Sequence, residues 1–343
     1  MGKSICFFNN KGGVGKTTLT CNIAAYLAIK FNKKVLIIDA DPQCNSSQYI
    51  LPMDLYSEIL EGSAYNTLLD VINPIEEGNS EIDYNIKIVS QEKNRFGVDI
   101  IPGHPRVSLF EDKLSNSWIT LNNDIGSLRI TNWSNNLNER LKSKYDFIIY
   151  DVGPSLGALN RTILLGCDYF ITPMGCDTFS IMGIKNISEW LRSWADLYHV
   201  NYKNLYSAKG NLVDKYEAEV IENLDSKCNY IGYTVQQYIA TRKTNGVKRP
   251  TKAYENIIKQ IPQCVNENLG YFMNDDVTLD EANLGDVPHL YSLVPLAQKS
   301  NSPIFALENK DGLVGSQYSQ LEDYINMLNR ITNRILFNIS GGE

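Results

Sequence analysis

Residues 9–18, Asn-Asn-Lys-Gly-Gly-Val-Gly-Lys-Thr-Thr, decide the fold of this 343-residue chain. An apolar run, residues 4–8, precedes this stretch, and residues 19–29 carry apolar side chains at helical spacing. In a glycine-rich loop between a strand and a helix, several backbone N–H groups point inward and can surround phosphate oxygens. The helix adds the positive end of its dipole. The stretch therefore predicts a phosphate-binding loop.

Two residues of this loop carry the chemistry of phosphate binding. Lys16 can reach the β- and γ-phosphates of a nucleotide, and the Thr17 hydroxyl is placed to ligate Mg²⁺. The general pattern G-x-x-x-x-G-K-[ST] begins with a glycine, where this chain has Asn10. The loop matches instead a variant pattern that begins with an additional lysine, here Lys11.

Aspartates follow two further apolar runs at the points where these runs end. One run leads into DADPQ, residues 39–43, and residues 145–150 lead into Asp151. Such runs are typical of buried parallel strands. Asp39 and Asp41 occupy alternate positions at the end of the first run. We expect them to point to opposite faces, unless the strand end twists, and so to have different roles. Asp151 would bind Mg²⁺ through water.

The loop sequence KGGVGKTT, residues 11–18, resembles the deviant Walker A motif of the ParA/MinD family of P-loop ATPases. Within that family it is most similar to the ParA/Soj-type partition ATPases. The resemblance implies ATP and Mg²⁺ as cofactors, and it implies nucleotide binding by Lys11, Gly12, Gly13, Val14, Gly15, Lys16, Thr17 and Thr18. Lys11 would be the signature lysine, which in this family crosses a dimer interface to the phosphates held by the partner subunit.

The aspartate motifs also have counterparts in this family. In the family pattern D-x-D-P-Q, the first aspartate, here Asp39, helps to hold the magnesium shell, and the second, here Asp41, positions or activates the attacking water. The implied metal-binding residues are Thr17, Asp39 and Asp151. The implied catalytic residues are Lys11, Lys16 and Asp41. Asp151 belongs to a segment that resembles the Walker B or switch II segment of this family. The family usually shows a D-x-P-P-type sequence there, whereas this chain has Asp-Val-Gly-Pro, in which Gly153 could present a γ-phosphate-sensing amide.

Strand-like and helix-like patterns alternate along the rest of the chain, with further apolar runs at residues 168–173 and 230–238. This order predicts an α/β fold, a mainly parallel twisted sheet with helices on both faces that binds its ligand at the C-terminal strand ends. We expect one P-loop ATPase domain over residues 1–343, with expanded segments at about 50–145 and 196–285.

Two residues are candidates for the adenine site by the same resemblance. Gln236 lies where the family usually places a polar residue that contacts the base. Pro288 belongs to a stretch that resembles the family segment closing over adenine. A surface glutamine and a structural proline are equally good interpretations of these two positions.

Residues 241–252 carry five cations, no acid and a central Asn-Gly turn signal. The net charge of the chain is −7, yet DNA phosphates are bound locally and do not require a basic protein. The DNA-binding candidates are Arg242, Lys243, Lys248 and Arg249. The alternative interpretations are a solvated loop and a loop that covers the nucleotide.

An amphipathic helix is predicted at about residues 316–339. Its apolar stripe consists of Leu321, Tyr324, Ile325, Leu328, Ile331 and Ile335. We expect this stripe to dock on the domain. A membrane-binding helix of the MinD type usually needs a cationic polar face, and here Arg330 and Arg334 are offset by three acidic residues.

The composition excludes several classes of protein. With 43% apolar and 21% charged residues, the chain is not a disordered one. No apolar stretch approaches the roughly 20 residues that span a bilayer, and no signal peptide is visible, so we expect a cytoplasmic protein. The seven cysteines are scattered without a C-x-x-C pair, and the three histidines lie far apart, which argues against a disulfide framework and a zinc site.

The favoured interpretation is a ParA-like ATPase that forms a homodimer on ATP binding, binds DNA non-specifically and hydrolyses ATP. It would position a plasmid, a chromosome or a protein cargo on the nucleoid, with a ParB-like or other adaptor protein stimulating hydrolysis. The alternatives are a MinD-like membrane-associated ATPase and a purely regulatory switch without DNA binding. An iron–sulfur protein of the same superfamily is disfavoured, because Ala158 stands where we would expect a cysteine after Asp151.

Overall fold

The computed structural model describes residues 1–62, 64–238, 240–242, 248–250, 252–274 and 276–341. The strands are β1 (Lys3–Phe7), β2 (Val35–Asp39), β3 (Asp99–Ile101), β4 (Phe147–Asp151), β5 (Tyr169–Gly175), β6 (Asn229–Tyr238), β7 (Ala240–Arg242), β8 (Lys248–Pro250) and β9 (Asn283–Pro288). The α-helices are α1 (Lys16–Phe31), α2 (Asn45–Ile50), α3 (Met53–Leu60), α4 (Leu68–Glu76), α5 (Phe110–Thr120), α6 (Ile125–Thr131), α7 (Trp133–Leu141), α8 (Ala158–Gly166), α9 (Thr178–Val213), α10 (Lys252–Leu269), α11 (Leu279–Ala282), α12 (Leu293–Lys299) and α13 (Gln317–Ser340).

Seven strands form a parallel sheet in the order β3-β2-β4-β1-β5-β6-β9. Strands β2, β4 and β5 are buried along their whole length, and β1 is buried except at its first residue. Their continuous apolar sequences suit this position, because each face of a parallel sheet is covered by helices. The predicted strands are therefore confirmed.

Successive residues of each central strand pack into different cores, one on each face of the sheet. On one face, Cys6 and Ile148 lie in a core with residues of α5, α8 and α9. On the other face, Ile5 and Ile149 lie in a core with residues of α1 and α13. The predicted α/β fold with helices on both faces is confirmed.

The C-terminal ends of the parallel strands meet at one edge of the sheet. The glycine-rich loop follows β1 there, and the loops after β2 and β4 lie beside it, because β4 pairs with both β1 and β2. On the other side of β1, the turn after β5 leads into α9. Open parallel sheets bind ligands at this edge, so the fold brings every predicted phosphate and metal residue to the place where a ligand is expected.

The C-terminal helix α13 is docked on the sheet, as expected. Leu321, Tyr324, Leu328, Ile331 and Ile335 of the predicted stripe are buried, and Ile325 is partly buried. The helix also contributes to the core beside α1. Within the described ranges, no helix is both long enough and apolar enough to cross a membrane.

The cationic segment contains the antiparallel pair of strands β7 and β8, with Arg242 opposite Lys248. Lys243 and the predicted Asn-Gly turn lie outside the described residues, as do the side chains of Arg242, Lys248 and Arg249. The pair follows β6, so the DNA-binding candidates lie in the chain directly after a strand that ends at the ligand edge.

Candidate functional site

The glycine-rich loop leaves an open cradle at the start of α1. Gly13 and Gly15 have φ angles of +73° and +77°, which L-residues with side chains rarely adopt. Gly15 is the N-cap of α1 and, within the described part of the chain, no side chain caps this helix end. A Cβ atom added at Gly12 or Gly13 would meet nothing within 4 Å. The backbone donors of the loop are therefore accessible to an anion.

Lys16 lies at the first position of α1 and is only 7% exposed. Its Nζ donates to the carbonyl of Lys11 at 3.1 Å, across the loop. Burial lowers the pKa of Lys16, and the negative charges of Asp151 and Asp41 act in the opposite direction. The Lys16 ammonium is thus a buried cation held over the cradle and facing acidic groups, which suits it to bind phosphate oxygens.

Asp151 ends β4 and is fully buried. Neither of its carboxylate oxygens makes a full hydrogen bond to a described residue, although Thr17 lies close enough to favour the charged form. Burial, followed by the charge of Asp39, raises the pKa of Asp151 well above its ordinary value. A buried carboxylate without a partner is costly, and a divalent cation would satisfy it. Thr17 and Asp151 therefore fit a Mg²⁺ site.

Asp39 is the neighbour of Asp151 in the β2–β4 register, and it is fully buried. Its Oδ2 accepts hydrogen bonds from the Ser47 backbone N–H (2.8 Å) and hydroxyl (2.6 Å), and its Oδ1 accepts one from the Asp41 N–H at 3.3 Å. The Ser47 hydroxyl in turn accepts from the Gly103 N–H at 2.8 Å. Asp39 therefore belongs to a rigid hydrogen-bonded group behind Asp151, a position suited to the outer shell of a metal.

Two residues of this group, Ser47 and Gly103, were missed by the sequence analysis. A Cβ atom at Gly103 would lie 3.0 Å from the Asp39 carboxyl carbon and from the Cys44 Sγ. A larger residue would therefore displace the carboxylate. The only local signal is the strand followed by Pro102-Gly103, which does not reveal a partner 64 positions earlier in the chain.

Asp41 lies beyond the end of β2 and faces the segment after β4. Strand β2 ends at Asp39, so Asp41 lies outside the strand. The expectation that the two side chains point to opposite faces is wrong, because residues two positions apart share a face wherever strand alternation holds. The negative charges of both act on Asp151. The Asp41 Oδ1 accepts from the Gln43 N–H at 3.0 Å, and a Cβ atom at Gly153 would approach that oxygen to 3.1 Å. Asp41 is therefore in close contact with the predicted switch segment.

A cavity of about 250 Å³ opens beside the phosphate cradle. Gln236, a predicted adenine-site residue, is buried at its wall, and its Nε2 donates to the Thr234 hydroxyl at 3.2 Å. Pro288 ends β9 between two lining residues, and its side chain lies outside the described part. The lining residues are Gly15, Thr18, Leu19, Gln236, Val287, His289, Leu290, Tyr291, Val294, Pro295 and Tyr324. This mainly apolar wall suits a flat base.

Sequence analysis missed most of this wall, because its residues come from α1, β6, the loop after β9, α12 and α13. A larger groove of about 1320 Å³ lies alongside, between β9 and α13. It shares four lining residues with the cavity: His289, Leu290, Tyr291 and Tyr324. Among its described lining residues, none belongs to the glycine-rich loop. The smaller cavity is therefore the better candidate for the base.

Lys11 is paired with an aspartate of the same chain. Its Nζ forms an ion pair with the Asp177 Oδ2, and its backbone N–H donates to the Asn9 side-chain oxygen at 2.9 Å. The Asn9 amide in turn donates to the Pro173 carbonyl on β5 at 2.8 Å. Asp177 was missed by the sequence analysis, since it lies 166 positions from Lys11.

Known proteins resemble this chain in sequence and in fold. The model of a family described as an AAA domain matches residues 2–203. The virulence plasmid ParA family protein pGP5-D of Chlamydia psittaci is 33% identical over 188 residues, covering 55% of this chain and 62% of that protein. The sporulation initiation inhibitor protein Soj of Bacillus subtilis is 30% identical over 192 residues, covering 56% and 66%. The chain thus spans less than two thirds of the length of these relatives.

Solved structures share the fold over nearly the whole chain. Protein DIP2308 of Corynebacterium diphtheriae has a TM-score of 0.75 and 28% identity, covering 99% of this chain and 100% of that one. Cyanothece McdA, solved as an ATP complex, has a TM-score of 0.59 and 14% identity, covering 97% and 96%. The pNOB8 ParA structure has a TM-score of 0.57 and 18% identity, covering 100% of both chains.

Proposed function

The chain belongs to the ParA/MinD family of P-loop ATPases, and from this premise we propose that it is a partition or positioning ATPase. It binds ATP with Mg²⁺, dimerises, binds DNA non-specifically and releases it on hydrolysis. The observation that carries the proposal is the grouping of Lys16, Thr17 and Asp151 at the open glycine-rich cradle, where the buried Asp151 carboxylate has no hydrogen-bond partner among the described residues. This grouping suits a nucleoside triphosphate and a divalent cation.

The phosphates lie in the cradle of residues 11–18, against the backbone N–H groups at the start of α1. Lys16 neutralises charge on the β- and γ-phosphates, and the cavity beside Gln236 receives the adenine. Thr17 and Asp151 hold Mg²⁺, with Asp39 behind them. When bound, Mg²⁺ withdraws negative charge from the phosphate oxygens as the γ-phosphoryl group is transferred to water.

Asp41 orients the attacking water. Asp39 is unsuited to this role, because hydrogen bonds from Ser47 and the Asp41 N–H already engage its oxygens. Asp41 is buried, with 8% exposure, and lies beside Gly153. A movement of the segment after β4 on γ-phosphate release would therefore displace Asp41. This contact couples hydrolysis to the conformation of the switch segment.

The surface around Lys11 suits a second copy of this chain. Phe179 and Met182 at the start of α9 are 71% and 61% exposed, and the Lys11 ammonium lies 5.9 Å from the Phe179 ring centre. In the proposed dimer, these side chains are covered by the partner, and Lys11 contacts the phosphates of the partner's ATP. The apolar exposure supports this arrangement, since large exposed apolar side chains concentrate at interaction surfaces.

The DNA-binding segment is residues 241–252, with Arg242, Lys243, Lys248 and Arg249 on DNA phosphates. Dimerisation doubles this segment and strengthens the binding by avidity. A ParB-like adaptor or another protein stimulates hydrolysis, and the ATPase acts in the cytoplasm on the nucleoid. A membrane role of the MinD type is less well supported, because the apolar stripe of α13 is buried against the sheet.

The test is a mobility shift on duplex DNA of unrelated sequence, with ATP and with ADP, at low and moderate salt. We expect binding that needs ATP and weakens steeply with salt, because released counterions drive phosphate binding. The double variant K248A/R249A should weaken it. The control K30A/K33A removes two exposed charges from the region of the α1 C-terminus and should not. No binding with either nucleotide would refute the DNA role and leave the ATP switch as a regulatory device.

A further inference from the structure

Lys11, the residue proposed to act across the dimer interface, is already paired within its own subunit. Its ammonium contacts the Asp177 carboxylate, and both side chains remain about one-third exposed. The Phe179 ring lies 5.9 Å away on the same side. One ammonium cannot be held against its own α9 and reach a partner's phosphates at the same time. The observed pairing and the proposed one therefore exclude each other.

Asp177 is fixed in place by a second role. As the N-cap of α9, its Oδ1 accepts from the Ser180 backbone N–H at 2.9 Å and from the Ser180 hydroxyl at 3.2 Å. The other oxygen, Oδ2, is the one that contacts Lys11. Burial acts to raise the pKa of Asp177, but the hydrogen bonds from Lys11 and Ser180 outweigh it and hold the pKa below its ordinary value. The carboxylate is therefore charged at neutral pH and anchored to the helix.

The rest of the loop keeps Lys11 near this carboxylate. Asn9 binds the Lys11 N–H and is itself tied to the Pro173 carbonyl on β5, the strand that leads to Asp177. Lys16 donates to the Lys11 carbonyl at 3.1 Å. The ion pair thus joins the phosphate loop after β1 to the helix after β5. Lys16 also holds Lys11 through this hydrogen bond, which it must give up when its ammonium turns to a bound phosphate.

We propose that Asp177 is an intramolecular latch that keeps Lys11 in its own subunit until a partner's ATP competes for it. The proposal rests on the proposed function, in which Lys11 acts across the dimer interface. A partly exposed carboxylate is a weak partner for an ammonium, whereas a desolvated triphosphate carries more charge and more acceptors. The latch therefore opposes dimerisation without ATP and yields when two ATP-loaded subunits meet. The latch thus raises the concentration of ATP-loaded protein at which dimers form.

The test is Asp177→Asn, which keeps a side-chain oxygen for the Ser180 cap and removes the charge from the latch. We expect ATP-dependent dimerisation, followed by light scattering over a protein concentration series, to occur at a roughly two- to fivefold lower concentration. Basal ATP turnover at low protein concentration should rise in parallel. Asp177→Ser, which retains a favourable N-cap, should behave in the same way. An unchanged or higher dimerisation concentration for both variants would overturn the latch.

Three further variants separate the latch from the function on which it rests. In a Lys11→Ala background, Asp177→Asn should have no effect on dimerisation, because the partner of the latch is gone. Ser180→Ala disturbs the cap and leaves the ion pair, so it should lower thermal stability without lowering the dimerisation concentration. If Lys11→Ala alone dimerises and hydrolyses ATP like the parent, the cross-interface role fails and the latch fails with it. If Lys11→Ala is defective but Asp177→Asn matches the parent, the latch alone fails.

Discussion

At the scale of single residues, the site separates two lysines and two aspartates that the sequence places only a few positions apart. Lys16 is buried over the cradle, while Lys11 lies at its rim against Asp177. Asp39 is held in a hydrogen-bonded group, while Asp41 faces Gly153. Substitutions within each pair should therefore have different consequences.

Lys16→Ala should abolish nucleotide binding. The change removes a buried cation from the phosphate site, and the loss of such a partner typically weakens binding by roughly 30-fold or more. Affinity can be measured by calorimetry with a non-hydrolysable ATP analogue. Lys30→Ala, at an exposed position of the same helix, should bind as the parent does. ATP affinity that survives Lys16→Ala would refute the phosphate-loop assignment.

Asp41→Ala should bind ATP and fail to turn it over, which traps an ATP-bound dimer. Loss of a group that positions or activates water typically costs about 10²- to 10⁴-fold in rate. Phosphate release and gel filtration with ATP would measure the two effects. Turnover at the parental rate would exclude Asp41 from the role. Ser47→Ala is the comparison, because it acts on Asp39 and should lower stability and metal affinity before it affects the chemical step.

At the scale of elements, helix ends are completed by residues from distant parts of the chain. The N-terminus of α8 follows Gly157, which has no side chain to cap it. Glu111 of α5 serves instead: one carboxylate oxygen accepts from the Ala158 N–H, and the other accepts from the Leu159 N–H at 3.0 Å. A Cβ atom at Gly157 would collide with this carboxylate. The helix after the switch segment is thus tied to α5.

Glu111→Ala should lower the free energy of unfolding by about 1–2 kcal/mol. The first two N–H groups of α8 lose their acceptor, and the positive end of the helix dipole loses a nearby negative charge. Asp112→Ala is a matched control, since Asp112 also lies in the first turn of α5 and is exposed. Each variant removes one negative charge from the first turn of α5, but only Glu111 caps α8. Equal stabilities of the two variants, measured by urea denaturation, would show that the cap contributes nothing.

At the scale of the whole molecule, Asp168 joins four parts of the chain at the edge of the sheet opposite the nucleotide. Its Oδ2 accepts from the Ser4 N–H at 2.9 Å and the Ser4 hydroxyl at 3.0 Å on β1. Its Oδ1 accepts from Lys142 at 3.1 Å, after α7, and from Lys227 at 3.0 Å, before β6. Burial would raise the pKa of Asp168, but the two lysines and Ser4 outweigh it and lower the pKa.

Asp168→Asn should destabilise the protein by about 1.5–3 kcal/mol at neutral pH, because two largely buried lysines lose a shared counter-charge and keep, among the described residues, only Glu139 as a partner. A lowered carboxyl pKa contributes stability that is present above the ordinary value of about 4 and is lost as the pH falls toward the folded-state value. The difference between parent and variant should therefore shrink below about pH 4. Denaturant titrations over a pH series would measure it, and a difference constant with pH would contradict this account. Asp54→Asn, at an exposed position, is the control.

The sequence by itself determined the fold class and predicted the residues that we propose to bind phosphate and metal. Each of these signals is local: an apolar run, a glycine-rich loop and an aspartate at a strand end lie within a few positions of one another. Parallel topology then carries the strand ends to one edge, so the grouping of Lys16, Thr17 and Asp151 follows without further information. The division of the chain into one domain with expanded segments at about 50–145 and 196–285 stays a prediction.

Only the tertiary structure decided the partners of these residues. The Lys11–Asp177 pair spans 166 positions, Asp39 depends on Ser47 and Gly103, and the base cavity is lined by residues from α1 to α13. Contacts of this kind leave no periodic trace in the sequence, because each depends on how separate elements pack. The position of the Asp41 carboxylate is of the same kind, because β2 ends at Asp39 and Asp41 lies in the turn that follows, where its Oδ1 accepts from the Gln43 N–H.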